Sequence, residues 1–499
     1  MSNEGLGSWV HRRLQKSGEK AATIFQDDVT TYRQLDERIN RLSHSLRGLG
    51  ITTGSRVAYL GENHPSFLET LFATTSLGAI FVPVNTRLAG PEINFILKDS
   101  GARVVIVSNA LASIALSSLE GTQVTTLVRL AQFNALVADG TPAFIDIDVA
   151  LDSPAVIMYT SGTTGQPKGA LLTHENLTWN ALNVLVDYDI VSTDVSLMIS
   201  PLFHSAAFGM GLLPAILKGA TIILEAGFEP GRVLALIEKY KATVISGVPT
   251  TYQMLCEHAD WDATDISSLE KLTCGGSSVP LRVIDAFEKR GLSFTGGYGM
   301  TETSPGATSL HPAHARTKVG SAGLPHFFTA MRIVTENQQI APAGEIGEIQ
   351  LRGPNVIREY WNRPEASADA FSDGTWFRSG DMGYVDAEGF LFVADRLKDM
   401  IISGGENIYP AEIEQLIIEL PEVSAVAVIG VAHEKWGEAP VAVITLQPGA
   451  MLDAERVRAH LDGRLARFKI PRRIEFIADM PRTASGKIRK GDLRVMYRE

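Results

Sequence analysis

The sequence predicts an α/β fold: a large N-terminal domain of α/β layered sheets followed by a smaller α+β domain. Three observations carry this. From about Thr31 to residue 394, amphipathic helix patterns alternate with short runs of branched apolar residues, the pattern of helices crossing over largely parallel strands. After Asp395 the alternation gives way to a compact run of helix and strand signals of its own. The length, 499 residues, is roughly three domains' worth of chain, with ample material for a buried core.

Taken in order, residues 67–84 read as a buried helix then a strand, because Glu69, Gly78 and Pro83 interrupt what would otherwise resemble a membrane span. Residues 102–108, 220–225 and 242–249 read as strands, and 231–241 and 281–291 as helices between them. Ala155-Val156-Ile157-Met158-Tyr159 is a short apolar run suited to a buried strand. Beyond 395, Pro410 opens a helix on which Ile413, Leu416, Ile417 and Leu420 recur at helical spacing. Strands follow at 423–431 and 441–446, then a helical stretch near 453–466 and a strand at 472–477. The polar 395–399 segment reads as a linker, dividing the chain into 1–394 and 395–499.

Composition narrows the function. A net charge of −11 argues against nucleic acid, whose backbone is bound through an excess of Lys and Arg. Cys256 and Cys274 are the only cysteines; they form no metal-ligand spacing and no disulfide framework, so a reducing, cytoplasmic setting is expected. The first residues lack the apolar core of a secretory signal, and no integral membrane segment is expected. Oligomeric state is not legible.

Residues 159–177, "YTSGTTGQPKGALLTHENL", set small hydroxyl residues and glycines after a strand and before a polar, helix-opening sequence. Such a loop exposes backbone N–H groups, which cradle phosphate oxygens. A Walker loop needs Gly-Lys-Ser/Thr at its end, and Pro167-Lys168-Gly169 breaks that pattern. Five further segments bear on chemistry. "SPLFHSAAF" (200–208) sets His204 among apolar and small residues, where a core histidine would look the same. "GGYGMTET" (296–303) is a glycine-rich loop holding Thr301 and Glu302, oxygen ligands that suit Mg²⁺ beside phosphates. "WFRSGDMG" (376–383) offers Asp381 on a turn. "DRLKDMIISGGENIYPAEIE" (395–414) carries Arg396, Lys398 and a second Gly-Gly loop, and "PRTASGKIRK" (481–490) places Lys487 in a small-residue turn.

In this order and spacing the set resembles the adenylate-forming superfamily of acyl-CoA synthetases, peptide-synthetase adenylation domains and luciferases, and most resembles bacterial fatty-acyl and feruloyl or other aryl-acid CoA ligases. The resemblance implies an ATP-dependent acid–CoA ligase: the acid becomes an acyl-AMP with loss of pyrophosphate, then passes to coenzyme A. Bringing a carboxylate onto a phosphate forces two anions together, at a cost of about 1 kcal/mol in water at 4 Å and several-fold more in a drier site, so delivered positive charge is what catalysis requires. The resemblance implies that Thr160, Ser161, Gly162, Thr163, Thr164, Gly165 and Lys168 hold the departing pyrophosphate. It implies that Glu302 and Thr160 hold Mg²⁺, that Asp381 takes the ribose hydroxyls, and that Arg396 and Lys398 lie in the nucleotide segment. Gly275, Gly276 and Ser277, with Gly296, Gly297, Tyr298, Gly299, Met300 and Thr301, would border adenine and the α-phosphate. Lys487 would bridge carboxylate and phosphate, with Glu302 and His204 as the other catalytic candidates. The C-terminal domain would be mobile about a hinge at Asp395, withdrawing Lys487 and bringing Ser403, Gly404 and Gly405 to the substrate for thioester formation, while Trp436 matches a position near the CoA nucleotide and would also suit a core.

Amino-acid-activating relatives carry an aspartate where this chain has His204, so an α-ammonium group loses its partner here. The implied pocket, His204, Ala207, Phe208, Gly211, Val248, Gly275, Tyr298 and Pro305, holds no carboxylate and suits an apolar medium- or long-chain fatty acid or a cinnamate-like aryl acid. Three rivals stay open: an enzyme loading a carrier protein, a luciferase-like oxygenase, and a non-catalytic acyl-AMP binder.

Overall fold

The computed structural model describes residues 2–160, 167–275, 279–396, 399–403, 406–433, 436–465, 467–483 and 487–498. Ser161, Gly162, Thr163, Thr164, Gly165, Gly276, Ser277, Lys398, Gly404 and Gly405 lie outside them, and for Asp395 and Arg396 only the backbone is described.

Two large sheets carry most of the N-terminal part. Six strands lie in the order Thr126–Arg129, Val104–Val107, Arg56–Leu60, Ile80–Val84, Pro154–Thr160 and Lys168–Thr173, parallel except for the last pair. Nine more run Leu324–Pro325, Gly306–Leu310, Phe294–Gly299, Lys271–Gly275, Val244–Gly247, Val195–Met198, Thr221–Leu224, Ala21–Phe25 and Asp28–Thr31, parallel through the middle and antiparallel at both edges. The helix Pro65–Ser76 is buried along almost its whole length, with Phe67 edge-on to both Tyr59 and Phe81. That explains its all-round apolar character: it is a core helix. Among the described residues no helix is long and apolar enough to cross a membrane.

The alternation expected to continue to residue 394 stops earlier. Strands Ala330–Val334, Gly347–Arg352, Phe371–Ser372, Trp376–Val385 and Leu391–Arg396 form an antiparallel sheet, with only the short helix Pro364–Asp369 among them. Tight turns at Gly374 and Gly389, both at positive φ, join neighbours directly, so no crossover helix is needed.

The last sheet joins Glu406–Ile408, Ile401–Ser403, Gly437–Leu446 and Val423–His433, with Arg473–Phe476 parallel to Gly437–Leu446. The helices Pro410–Ile417 and Ala454–Leu461 cover one face through Ile413, Ile417, Val457 and Leu461; Met480 and Leu493 cover the other. Burial on both faces is why 423–431 reads as continuous apolar sequence.

Candidate active site

The strands Pro154–Thr160 and Lys168–Thr173 pair antiparallel, with Thr160 opposite Lys168. These two strands form a hairpin, and the sequence reading, which passed straight from glycine loop to helix, missed the returning strand. Its Ala and Leu residues favour helix, and pairing with the neighbouring strand overrides that preference. The helix begins one element later, at His174: Thr173 Oγ1 accepts from the N–H of Asn176 at 3.1 Å, and Asn176 Oδ1 accepts from that of Thr173 at 3.0 Å. A Cβ on Gly169 would stand 2.7 Å from Ile157 Cγ2, so the returning strand fits only with glycine there.

The segment from Ile357 to Arg363 holds this hairpin. Trp361 N–H donates to Gly169 O at 2.8 Å, Tyr159 Oη and Arg363 both donate to Asp99, and Trp361 Nε1 donates to Asp99 O at 3.0 Å. Lys168 Nζ lies 5.5 Å from the centre of the Tyr360 ring. Tyr360 Oη donates to Glu302 Oε1 at 2.9 Å, and Ile357 N–H to Glu302 O, also at 2.9 Å. Burial and the neighbouring Glu302 carboxylate raise the Tyr360 pKa far above that of a free phenol, so it stays a donor. Sequence reasoning missed Tyr360, since a tyrosine in "EYWNRP" carries no motif of its own.

Glu302 sits in the 3₁₀ turn Thr301–Thr303, directly after the strand Phe294–Gly299. Gly296, Gly297, Tyr298 and Gly299 are thus strand residues. A Cβ on Gly299 would fall 1.8 Å from Pro305 O, and one on Gly297 2.7 Å from Thr308 O, so close pairing with the next strand requires these two glycines. Gly275 differs: nothing lies within 4 Å of where its Cβ would be. The turn is fixed from outside by Asn180, whose Oδ1 accepts from Gly306 N–H at 2.9 Å. Asn355 adds Nδ2 bonds to Thr303 O at 3.0 Å and Gly306 O at 2.7 Å. Met300 leads into the turn, its N–H on Pro305 O at 3.0 Å, and Thr301 Oγ1 meets Ser205 Oγ at 3.2 Å.

That contact places the His204 segment against the Glu302 turn. His204 is not a satisfied core histidine: its Nε2 is buried with no hydrogen-bond partner among the described residues. Its pKa is pushed down to about 4, first by burial and then by the positive charges of Arg87 and Lys487. Lys487, itself exposed in the C-terminal part, is therefore near enough for its charge to be felt at His204. Arg87, which sequence reasoning also missed, completes the group.

Asp381 lies within the strand Trp376–Val385 and not on a free turn; Gly380 beside it has φ +69°, at an irregularity in the pairing. The side chain is buried and accepts from Tyr298 Oη at 2.6 Å. Across the sheet, Asp381 faces Arg396 and Met382 faces Asp395, so Asp395 also lies inside a strand.

The implied pocket residues separate into two groups. Ala207 and Phe208 belong to the central core, Phe208 fully buried beside Phe67, and form no open wall. Gly211 abuts the Met198 thioether, and Pro305 packs against Gly209. Val248, just before the helix Pro249–Cys256, and Tyr298 are half-buried. In the C-terminal sheet Ser403 pairs with Gly437, next to the partly exposed Trp436, so these two predicted positions are neighbours.

For a cation, Glu302 and Thr160 would supply one carboxylate and one hydroxyl, and no cluster of three His, Cys, Asp or Glu side chains exists among the described residues. Such a sparse donor set fits Mg²⁺ carried mainly by substrate phosphates and water.

Comparison with known proteins finds relatives along nearly the whole chain. The sequence matches the family described as AMP-binding enzyme over residues 10–361 and the AMP-binding enzyme C-terminal domain over 412–487. It is 48% identical over 494 residues to a feruloyl-CoA synthase of Amycolatopsis sp, covering 99% of both chains. It is 38% identical over 496 residues to the long-chain-fatty-acid–CoA ligase FadD13 of Mycobacterium tuberculosis (strain H37Rv), covering 98% of this chain and 96% of the other. The crystal structure of an anthranilate CoA ligase in complex with anthranoyl-AMP superposes with a TM-score of 0.93 at 28% identity, over 99% of this chain and 98% of that one.

Proposed function

Because the chain belongs to the family of AMP-binding enzymes and is an ATP-dependent acid–CoA ligase, we propose that its acid is an aryl one of the cinnamate class. The 48% identity to a feruloyl-CoA synthase, against 38% to a long-chain fatty-acid ligase, supports an aryl over a fatty acid.

In the first step a carboxylate oxygen attacks the α-phosphorus of ATP and pyrophosphate leaves. Lys487 delivers positive charge to the meeting anions; this is supported by the contact of Ser205 Oγ with Thr301 Oγ1 at 3.2 Å, which sets the His204 segment beside the Glu302 turn, and by the lowering of the His204 pKa by the Lys487 charge. His204 stays neutral there, a polar contact for the bound acid that adds no second charge. Lys168 and the hairpin connection take the pyrophosphate, and Asp381, with Arg396 opposite, takes the ribose. Glu302 and Thr160 would hold Mg²⁺, which when bound neutralises phosphate charge. In the second step the CoA sulfur attacks the acyl carbon and AMP leaves. Residues 395–499 form the smaller domain, which turns about 395–399 to withdraw Lys487 and present the 403–405 loop. A cytoplasmic setting, where ATP and CoA are abundant and Cys256 and Cys274 stay reduced, belongs to the same reading.

The test is ATP–pyrophosphate exchange across a panel of aryl, fatty and amino acids, followed by mass spectrometry after addition of CoA. Hydroxycinnamates should give the highest exchange and a CoA thioester. Preference for octanoate or longer acids would overturn the aryl assignment, and preference for amino acids would overturn the apolar pocket.

A further inference from the structure

The segment Ile357–Trp361 lies between two elements that are distant in sequence. Its first residue is tied by its N–H to Glu302 O and its last by its N–H to Gly169 O, at 2.9 and 2.8 Å. Between them Tyr360 sits opposite Ala170 in an isolated bridge, and its own N–H is held by Ser367 Oγ at 2.9 Å, so its ring has a fixed origin. From there the hydroxyl reaches Glu302 Oε1 at 2.9 Å while the ring face lies 5.5 Å from Lys168 Nζ. One half-buried side chain thus touches both the acidic and the basic group of the phosphate end of the site.

We propose that Tyr360 is a positioning residue for adenylation: its hydroxyl aims the Glu302 carboxylate toward a phosphate-bound divalent cation, and its ring seats the Lys168 ammonium. This rests on the reading of Glu302 and Lys168 given above. The two contacts are chemically separable. A phenol donating to a carboxylate fixes which carboxylate lone pairs remain available, whereas a ring beneath an ammonium holds it through the π face with or without a hydroxyl. Tyr360→Phe therefore removes only the aim of Glu302, and Tyr360→Leu removes both contacts.

The experiment is calorimetric titration of each protein with ATP, with and without Mg²⁺, beside kinetics of the two half-reactions. Tyr360→Phe should bind metal-free ATP as the parent does, bind Mg·ATP about 5- to 20-fold more weakly, and lose a similar factor in acyl-AMP formation. Tyr360→Leu should weaken metal-free ATP as well. Both should convert pre-made acyl-AMP to thioester at the parental rate. Unchanged Mg·ATP affinity in Tyr360→Phe, or equal loss of both half-reactions, would reduce Tyr360 to a packing residue and overturn the inference. A parent that shows no Mg²⁺-dependent ATP binding would instead overturn the underlying placement of the metal at Glu302.

Discussion

Tyr298 Oη donates to Asp381 Oδ2 at 2.6 Å, joining the strand that precedes the Glu302 turn to the antiparallel sheet that ends at Arg396. The phenol pre-orients a buried carboxylate and offsets the cost of keeping it from water. Tyr298→Phe should raise the KM for ATP about tenfold, a hydrogen bond to a charged acceptor being worth roughly 1.5–3 kcal/mol, with a smaller change in kcat. Steady-state kinetics with ATP varied at saturating acid and CoA would show this; an unchanged KM removes Asp381 from the ribose.

Glu302→Gln keeps an acceptor for Tyr360 but removes the negative charge. Pyrophosphate exchange should drop by two or more orders of magnitude, and raising Mg²⁺ should recover only part of the loss. Full recovery at saturating Mg²⁺ would mean the carboxylate contributes affinity alone.

Lys487→Ala should abolish acyl-AMP formation from acid and ATP yet still pass the acyl group from pre-made acyl-AMP to CoA. Asp395→Pro, which fixes φ in the proposed pivot, should do the reverse. Pyrophosphate release and thioester appearance measure the two steps separately. If both variants stay folded and lose both steps alike, a single fixed arrangement accounts for the enzyme.

Burial alone pushes the His174 pKa down to about 4, and its Nδ1 accepts the Leu6 N–H at 3.0 Å. The folded protein resists protonation there while an unfolded chain takes up a proton below about 6.5. Stability should therefore fall as pH drops from 6.5 toward 4, by on the order of 3 kcal/mol from this site. His174→Asn, which retains an acceptor but does not titrate, should show a shallower decline of Tm over that window; a parallel decline would assign the pH sensitivity elsewhere.

What the sequence showed clearly was local. The C-terminal helix from Pro410 and the strand Val423–His433 were legible because each follows one periodicity along its own length. The antiparallel sheet of 330–396 was not, because its strands carry Gly, Asp and Arg at positions whose pairing only the partner strand explains. Gly297 and Gly299 read as ligand glycines and are required by backbone crowding from the adjacent strand. Asp381 read as a turn residue because Ser-Gly-Asp usually is one; the neighbouring strands hold it extended. Tyr360, Arg87, Asn180 and Asn355 were invisible, since each matters only through groups far away in the chain.

The last rung of the antiparallel sheet pairs Asp381 with Arg396, and almost at once Asp399 is claimed by Arg494 of the C-terminal unit at 2.7 Å. The chain is held by the sheet up to Arg396 and by this ion pair at Asp399. A turn made between two such anchors would be confined to a few backbone torsions, each with a few sterically permitted settings. If residues 395–499 turn as proposed, the motion would be indexed, like a ratchet with few teeth: a small number of stopping angles and no continuous sweep. Because the proposed pivot begins at Asp395 and Arg396, which face Met382 and Asp381, whatever occupies the Asp381 carboxylate would sit beside that pivot and be displaced least by the turn.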